Sequence, residues 1–184
     1  MDALTALHTR TSSPRLIEPG PTAPQMKNLL CAALRAADHA LLQPWRFLSI
    51  GGESRAKLGA LFVAAAVLEN SELSTSEKAK IGAKAMRAPL ILVVVASPKA
   101  HFKVPEIEQK LSAAAATQNI LLAAFAQGLG AVWRTGDMAY SATVKQGLGL
   151  APEESIIGFI YLGTSSAPAR TLAEVDPADF LHEW

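Results

Sequence analysis

One cysteine, Cys31, is all the thiol chemistry this 184-residue chain possesses. No intrachain disulfide can form and no cysteine cluster can hold zinc or an iron–sulfur centre, which suits a reducing cytoplasm. Charge is also sparse. Only 18% of residues are charged and the formal net charge is +1, so no broad field draws in a phosphate backbone or an acidic bilayer. The most apolar run, Pro89 to Ala96, is far too short to span a membrane. Polar residues interrupt Met1 to Pro14, where a secretory signal needs an unbroken apolar stretch. The sequence therefore predicts a soluble cytoplasmic protein with neither nucleic-acid nor membrane partners.

Familiar catalytic signatures are missing too. There is no Gly-x-Ser-x-Gly elbow, no P-loop and no His-Glu-x-x-His, which excludes the commonest routes to hydrolysis and nucleotide cleavage. His8, His39, His101 and His182 lie scattered without metal-ligand spacing, so no bound metal is expected. Gly128-Leu-Gly130 follows a predicted helix and enters a strand, the reverse of the dinucleotide-binding context. Gly51-Gly52 reads as a simple turn. Difficult chemistry on such a chain points to an organic cofactor.

What the chain does have is apolar bulk. Half its residues are hydrophobic, enough for a single domain over residues 1–184 that buries roughly 70% of its unfolded surface, and apolar enough to suggest a covering subunit. No internal repeat or low-complexity tract divides it. Asp2 caps a first helix running through Thr9, with Leu4 and Leu7 expected inward. Thr22 and Gln25 form a capping-box pattern before an apolar stripe at Met26, Leu29, Leu30, Ala33, Leu34 and Ala37. Trp45 to Ile50 reads as a strand, 53–68 as a helix, and Ser74 with Glu77 opens another helix reaching about Met86. Leu90 to Ala96, rich in Val and Ile, reads as a strand buried on both faces in mid-sheet. A long helix follows from Pro105 to Gly128, apolar nearly all round between Ala113 and Ala126. Leu129–Trp133 reads as a strand, Ser141–Gln146 as a short helix and Ile156–Gly163 as the last strand, before an irregular tail and a short helix capped at Asp176-Pro177. Such alternation nominally favours a parallel sheet.

Three segments set cations and small polar groups beside turns. Arg10-Thr11-Ser12 directly follows the first helix; arginine can fork onto phosphate and a serine hydroxyl can add a bond, although basic residues at a helix end also answer its dipole. Arg35 and His39, four apart, share a face if the helix continues; a solvated helix end is the plain alternative. Trp133-Arg134-Thr135-Gly136 ends a strand, where sheets present ligand loops, or where a surface arginine simply leaves the sheet.

In order and spacing these segments, with Gln43-Pro44-Trp45, Lys103-Val104-Pro105, Glu108-Gln109 and Gly158-Phe-Ile-Tyr-Leu-Gly-Thr164, resemble the nitroreductase family, particularly its small single-domain branch, over nearly the whole chain. The resemblance implies an α+β fold with a mainly antiparallel central sheet flanked by helices, and an obligate homodimer with two FMN sites in clefts built by both subunits. It implies that Arg10, Thr11 and Ser12 touch the phosphate and ribityl chain. Arg35 and His39 would contact flavin, and Trp133, Arg134 and Thr135 would complete the site, Arg134 near the phosphate. Thr11, Pro14, Ala37 and Leu41 depart from residues frequent in the family. The activity implied is NAD(P)H oxidation by ping-pong hydride transfer through flavin N5 to a small-molecule acceptor such as a nitroaromatic or quinone. No side-chain acid or base is needed. The alternative is a flavin-binding or regulatory protein without turnover.

Overall fold

A computed structural model describes residues 1–168 and 171–184; positions 169 and 170 of the tail, expected to be irregular, lie outside the described residues. Several of its helices begin where side chains supply the missing acceptors for orphan N–H groups. Helix α1, Ala3–Thr9, is capped by the Asp2 carboxylate accepting from Thr5 N–H. Helices α2 (Ala23–Ala33) and α4 (Thr75–Gly82) each start with a complete capping box, Thr22 with Gln25 and Ser74 with Glu77. Helix α3 spans Ser54–Glu69, the long helix α5 Glu106–Ala126, and two short helices, α6 (Asp137–Tyr140) and α7 (Ala142–Gly147), precede the last strand. The expected extension of α4 to Met86 becomes a 3-10 turn over Ala83–Met86. A Cβ on Gly59 of α3 would meet the Gly82 carbonyl oxygen of α4 at 2.6 Å, so these two helices touch backbone to backbone.

Five strands, β1 (Leu16–Ile17), β2 (Trp45–Gly51), β3 (Leu90–Ala96), β4 (Gly130–Arg134) and β5 (Ser155–Ser165), form one sheet in which every observed pairing is antiparallel. Strand β5 has β3 along one edge and β4, then β1, along the other, and β2 lies outside β3. β3 is thus flanked on both sides, as its unbroken Val/Ile run anticipates. Its alternate residues feed two cores. Ile91, Val93 and Val95 join Phe62, Phe159 and Tyr161 beneath α3, α6 and α7, where the Phe62 and Phe159 rings meet edge to face at 5.3 Å. Leu92, Val94 and Ala96 pack with Leu29, Ala33, Ala116 and Ile120 of α2 and α5 on the other side.

Three expectations need correction. Leu4 and Leu7 are 63% and 55% exposed rather than inward, and only Ala6 of α1 is buried. The α2 stripe stops early: i→i+3 bonds from Arg35 N–H to Ala32 and Ala36 N–H to Ala33 tighten the last turn, leaving Leu34 exposed and Ala37 outside the helix. The sheet is antiparallel where alternation suggested parallel.

A buried fork ties the sheet to the loop before β5. Arg46 Nε and Nη2 each donate to a Glu154 carboxylate oxygen at 2.6 Å, and Ala151 N–H donates to the same group. The guanidinium bonds hold the Glu154 carboxyl down from 4.5 to about 2. A depressed carboxylate pKa stabilises the fold above the unfolded value and loses that contribution as pH falls through the folded one. About 2 kcal/mol should therefore vanish between pH 6 and pH 3. Urea unfolding at both pH values checks this, with Glu154→Gln expected to flatten the difference; an equal acid loss in the variant contradicts it.

Candidate functional site

Strand β4 is the edge on which the predicted residues converge. Ser13 N–H donates to the Ala131 carbonyl at 2.9 Å, which lays the segment leaving α1 alongside the outer edge of β4. In an extended strand alternate residues turn their N–H and C=O to the same side. Trp133 therefore presents its backbone groups on the same outward edge as Ala131, beyond the reach of the β5 ladder. That leaves a donor and an acceptor in line for a flat polar ligand.

At the near end of this edge Arg10, Thr11 and Ser12 line a cavity of about 370 Å³ with Thr171, Leu172 and Ala173 of the tail. Arg10 is held by its backbone, whose N–H caps α1 on the Ala6 carbonyl, while its guanidinium has no ion pair among the described residues. At the far end, Trp133 and Arg134 leave β4 on opposite faces. The Trp133 indole N–H donates to the Ile157 carbonyl at 3.1 Å, fixing the ring across β5. The Arg134 guanidinium carbon lies 5.8 Å from the Tyr161 ring centre, and its Nε is buried without a hydrogen-bond partner. Arg134 lines a second cavity of about 400 Å³ with Lys84, Arg87, Asp137 and Tyr161. Thr135, exposed, borders that cavity and another formed with Lys110, Tyr140 and Lys145.

The remaining two predicted residues stand apart. Because α2 ends at Ala33, Arg35 and His39 are not one turn apart on a helix. Arg35 borders a shallow apolar groove with Ala3, Leu7, Asn119 and Leu122, and His39 Nδ1 sits 2.7 Å from Glu108 Oε2 at the start of α5. The backbone directly after His39 is strained. Ala40, Leu41 and Gln43 all have positive φ, at 62°, 54° and 50°, a conformation costing roughly 1–2 kcal/mol for each non-glycine residue. The Asp38 carboxylate holds the turn by accepting from Gln43 N–H at 2.6 Å. Such strain persists only where the surroundings enforce it and gathers at functional sites.

One chain thus brings Arg10, Thr11 and Ser12 together at one end of the edge and Trp133, Arg134 and Thr135 at the other. Arg10 lines one of these cavities and Arg134 the other. Lys84, Arg87 and Tyr161 were not anticipated. Their sequence signal is faint: a Lys-x-x-Arg spacing at a helix end and an ordinary strand tyrosine. Among the described residues no group of three potential metal ligands forms, and no helix is long and apolar enough to cross a membrane. A free guanidinium at one end, an open strand edge and aromatic walls fit a phosphate-bearing planar cofactor.

Solved structures share this architecture. A nitroreductase-like protein from Bacillus cereus superposes with a TM-score of 0.85 over 100% of this chain and 96% of its own, at 22% identity. A provisionally named nitroreductase from Desulfovibrio desulfuricans, solved in complex with FMN, gives 0.79 over 100% and 97%, at 26% identity. The fold is nitroreductase-like: α+β, with a five-stranded antiparallel sheet between helical layers. Sequence carries the assignment further, since the nitroreductase family pattern matches residues 16–164. A relative in Escherichia coli K12, YdjA, provisionally named an NAD(P)H nitroreductase, is 41% identical over 98% of both chains. The chain belongs to the nitroreductase family.

Proposed function

We propose that this single-domain chain, residues 1–184, is a cytoplasmic FMN-dependent NAD(P)H oxidoreductase that works as a homodimer and reduces a nitroaromatic, quinone or similar acceptor by a ping-pong cycle. The observation that carries this is the open β4 edge, with Trp133 backbone groups exposed on it and the unpaired Arg10 guanidinium at its near end. The FMN complex of the Desulfovibrio relative and the NAD(P)H in the name of the E. coli one support it. FMN bound here would accept hydride at N5 and deliver it to the second substrate.

Within the chain, Arg10, Thr11 and Ser12 would hold the phosphate. The edge from Trp133 to Thr135 would fix the ring through backbone bonds, which orient without titrating and so need no acid or base.

Arg35 and His39 line neither the cavity of Arg10 nor that of Arg134, and both border elements whose apolar side is uncovered. Leu4 and Leu7 of α1 and Ile107 and Leu111 of α5 are more than half exposed, and Leu7 lines the apolar groove formed by α1, α2 and α5. A second copy, related by a two-fold axis, is the commonest way to cover such a surface. Arg35 and His39 contributed across that axis would then complete each flavin site. Ligand binding at a shared site must stabilise the assembly. FMN added to apoprotein should therefore shift any monomer–dimer equilibrium towards dimer and raise the melting temperature, as light scattering at low micromolar protein would register. A flavin-loaded monomer would contradict the interface site.

A further inference from the structure

We propose that Glu108 is a positioning residue for the flavin site: it fixes the His39 ring with Nδ1 as the donor edge and so presents Nε2 towards the flavin of the partner subunit. This rests on the reading that His39 reaches that flavin, and it names what aims the ring. An ionised carboxylate can only accept a hydrogen bond. His39 Nδ1–H therefore donates to Glu108 Oε2, at 2.7 Å, and in the neutral ring Nε2 is left as an acceptor. A histidine side chain free in water favours the opposite tautomer, with the proton on Nε2. Glu108 thus selects a ring state that solvent does not.

The pair is poorly suited to a role in stability alone. Both side chains stay about half in solvent, at 56% and 45% exposure, and exposed ion pairs contribute little. Yet both ends are firmly held. On one side the positive-φ turn after His39 is braced by the Asp38 carboxylate on Gln43 N–H. On the other, Gln109 is 2% exposed; its Oε1 accepts from Lys99 N–H at 2.7 Å, and its Nε2 donates to the Lys99 and Val104 carbonyls at 2.8 and 3.3 Å. These bonds clamp the start of α5 to the loop before it. The neighbouring acid Glu106 is taken by Lys110 one turn on, which leaves Glu108 to His39. A costly turn and a clamped helix start that meet in so weak a pair point to aim rather than strength.

Apolar side chains mark the same surface for cover by a second copy. Leu41, two residues beyond His39, is 83% exposed, and Ile107 and Leu111, beside Glu108 on α5, are each 61% exposed. Covering them would take the pair out of water, where a hydrogen bond to a charged group is stronger.

The test combines two measurements on the full chain. Nitrogen NMR of the His39 ring in apoprotein, above the ordinary imidazole titration range, should show Nδ1 protonated in wild type and in E108Q, whose amide oxygen still accepts, and the proton moved to Nε2 in E108A. Fluorescence titration with FMN should show binding weakened about fivefold by E108A, at least as much by H39A, and less than about twofold further when E108A is added to H39A. E108Q should stay within about twofold of wild type. If E108A does not fold, E108M, of similar length and unable to accept, takes its place. Unchanged FMN affinity in E108A beside a weakened H39A overturns the role of Glu108 and leaves His39 at the flavin. Full additivity of the two losses, or a wild-type ring protonated on Nε2 alone, does the same. E108Q as weak as E108A also overturns it, because charge and not ring orientation would then act. Unchanged affinity in H39A overturns the proposal together with the placing of His39 at the flavin.

Discussion

Arg10→Glu should weaken FMN binding by more than about a hundredfold while changing riboflavin affinity less than about threefold. A charge-assisted bond to phosphate contributes about 1.5–3 kcal/mol, and the introduced carboxylate adds repulsion of roughly 1 kcal/mol or more against a dianion at partly exposed range. Together these come to about 2.5–4 kcal/mol, against the ~2.7 kcal/mol that a hundredfold represents. The side chain stands free on a C-cap held by its own backbone, so the substitution disturbs little else. Fluorescence titration of apoprotein with each flavin reads the difference. If FMN and riboflavin weaken in parallel, Arg10 contacts something other than the phosphate.

Phe159→Ala should cost about 3–5 kcal/mol, the range for removing a fully buried aromatic ring. Phe159 is 2% exposed. Its ring meets Phe62 edge to face, and its backbone pairs with Val93 on one side and Arg134 on the other. The same ring lines the cation-walled cavity, so the loss is both a void in the core and a loosened wall. Urea unfolding should show a lower midpoint with an unchanged slope. A cost under about 1 kcal/mol would mean that the neighbours collapse into the space and that this core is softer than its packing implies.

The parts of this molecule that rest on local chemistry were legible in the sequence. Thr22 with Gln25 and Ser74 with Glu77 announce helix starts because a capping box needs only four residues, and both boxes are complete. β3 reads as central because only a strand covered on both faces tolerates seven consecutive apolar residues. The sheet's direction was not legible from alternation, and the reason lies in β5. Strands β3 and β4 both run antiparallel to β5, so they are parallel to each other and joined by α5, as an alternating pattern anticipates. β5 then inserts between them, which no local pattern records. The antiparallel sheet came from the family resemblance instead.

For the site, local reading found the right segments and misjudged their connections. Arg10–Ser12 and Trp133–Thr135 lie on one strand edge because of a single backbone bond from Ser13 to Ala131. Arg35 and His39 seemed to share a helical face, but the helix ends at Ala33, before Arg35, and the chain turns through three positive-φ residues directly after His39. None of these is glycine or asparagine, so no residue type advertised the turn. Leu4 and Leu7 were placed inward on the assumption that apolar residues of a short helix face their own core; on this fold they lie exposed on an outer face.

The most direct test is an anaerobic absorption titration of the purified protein with NADPH and, separately, NADH. The account predicts a yellow protein with one FMN per chain, whose visible flavin band bleaches on adding about one equivalent of reductant and returns when a quinone or nitroaromatic is supplied. A colourless preparation that takes up no FMN would contradict the cofactor assignment. Bound flavin that neither nucleotide can bleach would contradict the enzyme and leave a flavin-binding protein without turnover.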